Sequence, residues 1–241
     1  MSTFVDLLPQ EMRSAAAEAP VVAAWPEDSS GRPAPWSVES FAKEQIRGLV
    51  RQLFFPSPAP LRQVVFSAVD AGTEVLPVCL QVGEVIGQHA SGSVCVVEAV
   101  RHKHKYRFAP EREFVTSSPA KRFGALRDLS EQLSSSLWFM SADVFCGGNH
   151  DLSAVWLRAR LAELRLEFDY TVLEGPAAAH SEAVTLAGLS DGLVLVLQAN
   201  LTRRVTAQKA KEGLSSANAR LLGTVLTGRT FPIPEALYKR L

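Results

Sequence analysis

The residues from Arg62 to Val75, RQVVFSAVDAGTEV, set the spacing on which any phosphate chemistry in this chain would depend. They read as a buried strand, a loop of small residues and the start of a helix. In an α/β protein, that is where a nucleotide's phosphates sit. A phosphate cradle needs glycines so that backbone N–H groups can converge. It also needs a lysine to neutralise the phosphates and a Ser or Thr hydroxyl for Mg²⁺. Here the loop offers Gly72, Thr73, Glu74, Val75 and Leu76, and no lysine occurs between Lys43 and Lys103. Glu74 would add a negative charge beside the phosphates. Like charges ~4 Å apart repel by ~4 kcal/mol at an effective dielectric of ~20. The segment has the address of a phosphate site without its chemistry. A structural turn is expected, with Gly72 kept for its backbone freedom.

Other residues carry weaker chemistry. Glu98 closes the apolar run SVCVVEA and Glu174 closes YTVLE, so both carboxylates fall at strand ends. RHKHKYR, Arg101 to Arg107, is the strongest basic cluster and includes Lys103 and Lys105. It reads as a solvated loop, or else as an anion or partner site. Cys146, His150 and Asp151 lack the paired ligands of a zinc site and read as a loop. Asp143 and Asp169 read as helix caps or loop residues. No G-x-G-x-x-G follows a strand, so the dinucleotide fingerprint is missing.

The elements that must position these residues alternate. Val38 to Phe54 has Phe41, Ile46, Leu49, Val50, Leu53 and Phe54 at helical spacing, with Ser37 as a cap and Pro56 to Pro60 as a stop. Gln63 to Ala68 is a strand, Val75 to Gln88 a helix and Ser93 to Ala99 a strand. Phe123 to Leu133 reads as a helix, Leu137 to Ser141 as a strand and Val144 to Asp151 as a loop. Leu152 to Glu167 reads as an amphipathic helix through Val155, Leu157, Leu161, Leu164 and Leu166. Tyr170 to Glu174, Gly192 to Gln198 and Leu221 to Thr227 are strands, separated by helices at Ala183 to Leu189 and Arg203 to Ala217. Strands alternating with helices, several of them continuously apolar, predict a doubly wound, mostly parallel α/β sheet covered on both faces. Residues 1 to 36 are rich in alanine and proline and are expected to be a flexible tail before a single domain over 37–241.

Composition narrows the function classes. The 241 residues are 47% hydrophobic and 21% charged with zero formal net charge. Nothing global therefore points to nucleic acid or an anionic surface. Three widely spaced cysteines predict a reducing compartment. No apolar run approaches the ~20 residues that span a bilayer, and the first residues lack the pattern of a signal peptide. The cytoplasm is expected, with the membrane's inner face reached only through a partner.

The order of these strings resembles the cytoplasmic kinase domains of bacterial tyrosine kinases, in the deviant Walker group of P-loop proteins. The resemblance covers about Val38 to Leu241. FAKEQIRGLVRQLFF is similar to the family's first helix, QVVFSAVDAGTEV to its strand and Walker A loop, and VCVVEAVRHK to its second Walker strand. FDYTVLEGPA is similar to its FDYVIIDTPP, and SDGLVLVLQANLTRRVTAQKAKEGL and LLGTVLTGRTFPIP to its late elements. The resemblance implies a P-loop NTPase-like fold, ATP with Mg²⁺, and pairing with a membrane polysaccharide co-polymerase. Against the family's P-G-E-G-K-T, this chain keeps only Gly72. Val75 stands at the lysine and Leu76 at the hydroxyl. The D-x-D of the second Walker strand is reduced to Glu98, and the third acid is Glu174. Of the ring-contact motif E-x-x-R-x-x-R, Glu44 and Arg47 match, Val50 replaces the second arginine and Arg51 falls one place late. The family's tyrosine-rich tail is reduced to Tyr238.

The expectation is a kinase-like domain without ATP turnover and without a required cofactor. It would be an accessory or regulatory partner in exopolysaccharide or capsule assembly. Its partner would be a co-polymerase or an active kinase paralogue, met through Glu44, Arg47, Arg51, Arg101, Lys103 and Lys105. One alternative is an active ATP-dependent tyrosine kinase or ATPase with a rearranged loop, using Glu98 and Glu174 for Mg²⁺. Another is a relative of partitioning or septum-positioning ATPases.

Overall fold

The computed structural model describes residues 38–55, 60–100, 125–147 and 153–229. The expectations for the tail at 1–36, the cap at Ser37, the basic cluster at 101–107, and His150 and Asp151 lie outside the described residues. The chain divides into two units, one of Met1–Glu44 with Thr230–Leu241 and one of Gln45–Arg229. In the first, Lys43 Nζ lies 2.7 Å from Glu39 in an exposed i,i+4 pair, worth little in water.

The elements run α1 (Val38–Phe54), β1 (Gln63–Ala68), α2 (Leu76–His89), β2 (Val94–Glu98), α3 (Leu126–Leu129), β3 (Glu131–Gln132), β4 (Leu137–Met140) and α4 (Ala142–Cys146). They continue with α5 (Ala154–Glu167), β5 (Tyr170–Glu174), α6 (Ser181–Leu189), β6 (Gly192–Gln198), α7 (Arg204–Ser216) and β7 (Leu221–Thr227). The seven strands lie in the order β3-β4-β2-β5-β1-β6-β7. All pairs are parallel except β3 with β4. The expected doubly wound sheet is present.

Strand β1 lies inside the sheet between β5 and β6, with every residue buried. Its alternate side chains feed two cores. Val64, Phe66 and Ala68 face a cluster built with Ile46, Val50, Leu53 and Phe54 of α1 and Val78, Cys79, Val82 and Ile86 of α2. Val65 faces the opposite cluster, built with Leu157, Leu161 and Leu164 of α5, Leu186 of α6 and Leu214 of α7. This is the two-residue period of a strand buried on both faces. Helix α2 approaches the sheet closely because of Gly83. A Cβ there would lie 2.5 Å from Val96 Cγ2 and 3.1 Å from Leu137 Cδ1.

Several local expectations give way to tertiary context. The helix expected over Phe123 to Leu133 is, among its described residues, only the single turn α3 followed by β3. Its N-terminal amides at Leu126 and Arg127 donate to the Glu167 carboxylate at 2.9 and 2.6 Å, a cap brought from a distant helix. The loop expected from Val144 begins instead as helix α4, which ends at Gly147 in the left-handed conformation with φ +58°. In α5, Leu157, Leu161 and Leu164 are buried, but Val155 and Leu166 are 79% and 88% exposed. The single apolar face expected for that helix is therefore two faces. Val50, at the family's second arginine, is fully buried. Trp138, Phe139 and Met140 join the cores as expected.

A polar network ties the amino ends of the strands. Asp191 Oδ2 accepts from the backbone N–H of Arg62 at 2.6 Å and of Gln63 at 2.8 Å. Its Oδ1 accepts from Arg165 Nη2 at 2.8 Å. The fully buried Gln63 side chain accepts from Arg165 Nε and donates to the Leu161 carbonyl. Asp169 is a loop residue whose Oδ2 accepts from Ser93 N and Oγ at 2.8 and 3.0 Å.

Two predictions follow from this network. Asp191→Ala leaves two strand-start amides and a guanidinium without their acceptor and is expected to cost about 2–3 kcal/mol in urea unfolding. Asp169 is held below the usual carboxylate range by Ser93's N–H, then by its hydroxyl, with burial opposing and Arg62 and Arg127 assisting. A carboxyl with a depressed folded value stabilises fully above its unfolded pKa of about 3.9. That contribution is lost as pH falls through the folded value. The stability gap between wild type and Asp169→Asn should therefore narrow in unfolding titrations taken below pH ~4.

Candidate functional site

The site expected from the sequence is at the carboxyl end of β1, where the chain leaves the sheet through Val69–Val75 and enters α2. The loop is a closed turn. Thr73 N donates to the Asp70 carbonyl at 3.1 Å, and Val69 N donates to Val196 O of β6. The neighbouring loop after β6 holds it from outside. Thr202 Oγ1 donates to Asp70 Oδ2 at 2.6 Å, and Thr73 Oγ1 lies 3.4 Å from Gln198 Oε1. Asp70 and Thr73 thus spend their polar atoms on the turn. Gly72 does not support the expected backbone role. Its φ is outside the left-handed region, and a Cβ there would meet nothing within 4 Å. Glu74 is exposed.

Val75 and Leu76 do the opposite of what a lysine and a threonine would do there. They are 3% and 2% exposed and belong to the α2-side core. The start of α2 is also poor in donors. Pro77 has no N–H, while Val78 N and Cys79 N both donate to the Val75 carbonyl, at 2.9 and 3.1 Å. An anion site at a helix start depends on such amides pointing outward.

The two acidic candidates do come together. Glu98 and Glu174 are register partners on β2 and β5, so their backbones lie ~4.8 Å apart. Val96 and Val172, two residues earlier, face the α2-side core, so strand periodicity directs both carboxylates toward that side. Glu98 Oε2 accepts from Ala142 N at the start of α4, at 3.2 Å. Glu174 is 2% exposed. Burial pushes the Cys79 thiol well up, and the nearby Glu174 charge pushes it further. Among the described residues, no three His, Cys, Asp or Glu side chains group as metal ligands.

A cavity of about 140 Å³ lies between the loop and the end of β5, lined among others by Ala71, Thr73, Val75, Glu174, Pro176 and His180. Typical small-molecule sites are roughly 300–1,000 Å³. Gly175 beside it is sterically required, since a Cβ would come within 2.7 Å of Ser67 Oγ and Val65 Cγ1. A larger hollow of about 270 Å³, lined by Arg62, Ser91, Asp169 and Tyr170, is at the opposite, amino end of the strands. Its polar groups belong to the structural network. The residues present at β1 thus do not fit the Mg²⁺–nucleotide group that the family resemblance implies. Val75 and Leu76, at the lysine and hydroxyl positions, are apolar and packed, Pro77 has no amide, and those of Val78 and Cys79 are engaged.

Of the proposed partner-contact residues, Arg51 is exposed on α1, and Glu44 and Arg47 are half-buried. Arg101, Lys103 and Lys105 lie outside the described residues. His180 and the Thr202 and Gln198 contacts escaped sequence reasoning. The one available signal was positional, because loops after β5 and β6 must border the same sheet end as the loop after β1. Cys146, weighed as a catalytic or metal residue, is buried beside Phe145 in the α5-side core.

No protein-family model matches the chain. Over 79 residues it is 32% identical to tyrosine-protein kinase YwqD of Bacillus subtilis (strain 168), a stretch that is 32% of this chain and 33% of that protein. The match thus spans about a third of the curated relative's length. Among solved structures, the chimerical protein CapA2B2 superposes with a TM-score of 0.60 at 14% identity, over 82% of this chain and 88% of that one. The BceF tyrosine kinase domain gives 0.56 at 18% identity, over 77% and 76%. The kinase domain of the Escherichia coli tyrosine kinase ETK gives 0.53 at 12%, over 86% and 82%. The chain is similar in sequence to a bacterial tyrosine kinase over that stretch and has the P-loop NTPase-like α/β fold of such kinase domains.

Proposed function

We propose that this chain is a kinase-like domain that does not turn over ATP and acts through its surfaces. It would serve as an accessory or regulatory partner in exopolysaccharide or capsule assembly and export. The observation that carries this reading is the packing of Val75 and Leu76, 3% and 2% exposed, at the positions where the family places its lysine and hydroxyl. Phosphoryl transfer is mostly positioning and charge stabilisation, and these side chains supply neither. The engaged amides at the start of α2 and the small cavity support the same reading.

The pathway rests on the resemblance to bacterial tyrosine kinases. Those kinases pair with membrane polysaccharide co-polymerases, so the partner proposed is a co-polymerase or an active kinase paralogue, met through the exposed side of α1 near Arg51. Among the described residues no helix is long and apolar enough to cross a membrane. The membrane's inner face is proposed to be reached through that partner.

Calorimetric titration with ATP and Mg²⁺ tests the reading. The expected result is no saturable heat, together with no phosphate release and no phosphotyrosine on incubation. Saturable binding with turnover that Glu174→Ala abolishes would overturn it in favour of a working nucleotide site built on the Glu98–Glu174 pair.

A further inference from the structure

Helix α5 is apolar on two sides, and the fold uses only one of them. Leu157, Leu161 and Leu164 enter the core. On the outer side, Val155, Ala159, Ala162 and Leu166 are exposed, with Val155 at 79% and Leu166 at 88%. Their spacing of four, three and four residues is that of a d-a-d-a seam, so they form one stripe along the helix. A surface helix is normally polar on the side away from its core, and an apolar stripe there marks a surface that is covered.

The residues bordering the stripe say what covers it. Arg158 lies on one flank at a g position and Glu163 on the other at an e position. In two parallel helices, a g side chain meets the e side chain five residues later on the other helix. Arg158 of one copy would then meet Glu163 of the other, twice, by symmetry. In an antiparallel pair the same flanks would face their own kind, arginine to arginine and glutamate to glutamate. Arg158 makes no ion pair among the described residues. Glu163 uses Oε2 on Arg160 at 2.8 Å, which leaves its second carboxylate oxygen able to accept. The two central alanines let the backbones approach closely.

We propose that this face is a homodimer interface in which the α5 helices of two copies run parallel about a two-fold axis. The contact is isologous, so each stripe residue meets its own counterpart. Val155 packs on Val155, Ala159 on Ala159, Ala162 on Ala162 and Leu166 on Leu166. A 14-residue helix is about 21 Å long, so this seam alone makes a small interface. An interface of that size belongs with weak, transient encounters, so the dimer is expected to form only toward high protein concentration.

Sedimentation across a concentration series, with single-cysteine cross-linking, tests the pairing on the full chain. Because each residue meets itself, Ala162→Cys should give a disulfide-linked dimer under mild oxidation. Gln208→Cys, exposed on α7, should not. The native cysteines are buried and leave the readout clear. Leu166→Glu should abolish the dimer, and Arg158→Glu should weaken it at least tenfold. The exchange Arg158→Glu with Glu163→Arg should restore it. All these positions are exposed, and thermal melts of each variant check that folding is intact. A chain that stays monomeric at all concentrations overturns the proposal, as does a dimer indifferent to these substitutions or an exchange that fails to rescue.

Discussion

Everything described depends on the burial of β1. This strand is hydrogen-bonded to β5 on one edge and β6 on the other, and none of its side chains reaches solvent. A strand in that position must be apolar on both faces and must hand its chain over at the carboxyl end of the sheet. The loop at Val69–Val75 is therefore placed by the core rather than by a ligand. What the loop does next depends on which side chains begin α2. A lysine and a threonine there would be drawn out toward water or an anion. Val75 and Leu76 are drawn inward, and the start of the helix closes over the core.

That inward packing affects the rest of the site. With the helix start packed inward, the turn relies on its neighbours for order, and Thr202 of the loop after β6 and Gln198 at the end of β6 supply the contacts. Glu174 is left buried at the end of β5 beside Glu98 of β2. Two adjacent carboxylates are more costly to bury than one, and α4 offsets part of that cost by donating an amide to Glu98. The carboxyl end of the sheet is thus held by the same kinds of contact that tie the amino ends through Asp191 and Asp169.

Much of this was legible in the sequence. The apolar runs Gln63–Ala68, Tyr170–Glu174, Gly192–Gln198 and Leu221–Thr227 are strands at the bounds read from the residues. Continuous apolar character suits strands of a covered sheet, although the edge strand Leu221–Thr227 stays partly exposed. The absence of the lysine and hydroxyl was equally plain, because it is a matter of residue type. The pairing of Glu98 with Glu174 was not legible. It is a register between strands 76 residues apart in the chain, which nothing local encodes. Gly72 was misread for a related reason. A glycine in a loop suggests special backbone geometry, but only the folded turn shows that its φ is ordinary and its surroundings open.

The sequence by itself determined the layer architecture, the address of the loop and the residue types along it, since these follow from period, hydrophobicity and side-chain type. Only the tertiary structure decided where those side chains point. Whether Val75 and Leu76 face a pocket or the core depends on where α1 and α2 lie against β1. Likewise, α5 holds Val155, Trp156, Leu157, Leu161, Leu164 and Leu166, and helical geometry sets Val155 and Leu166 opposite Leu157, Leu161 and Leu164. The sheet can cover only one side of a helix, so Leu157, Leu161 and Leu164 are buried and Val155 and Leu166 are left facing outward. Which of the two stripes is covered is not local information, because it is set by the long-range contacts that orient each helix on the sheet.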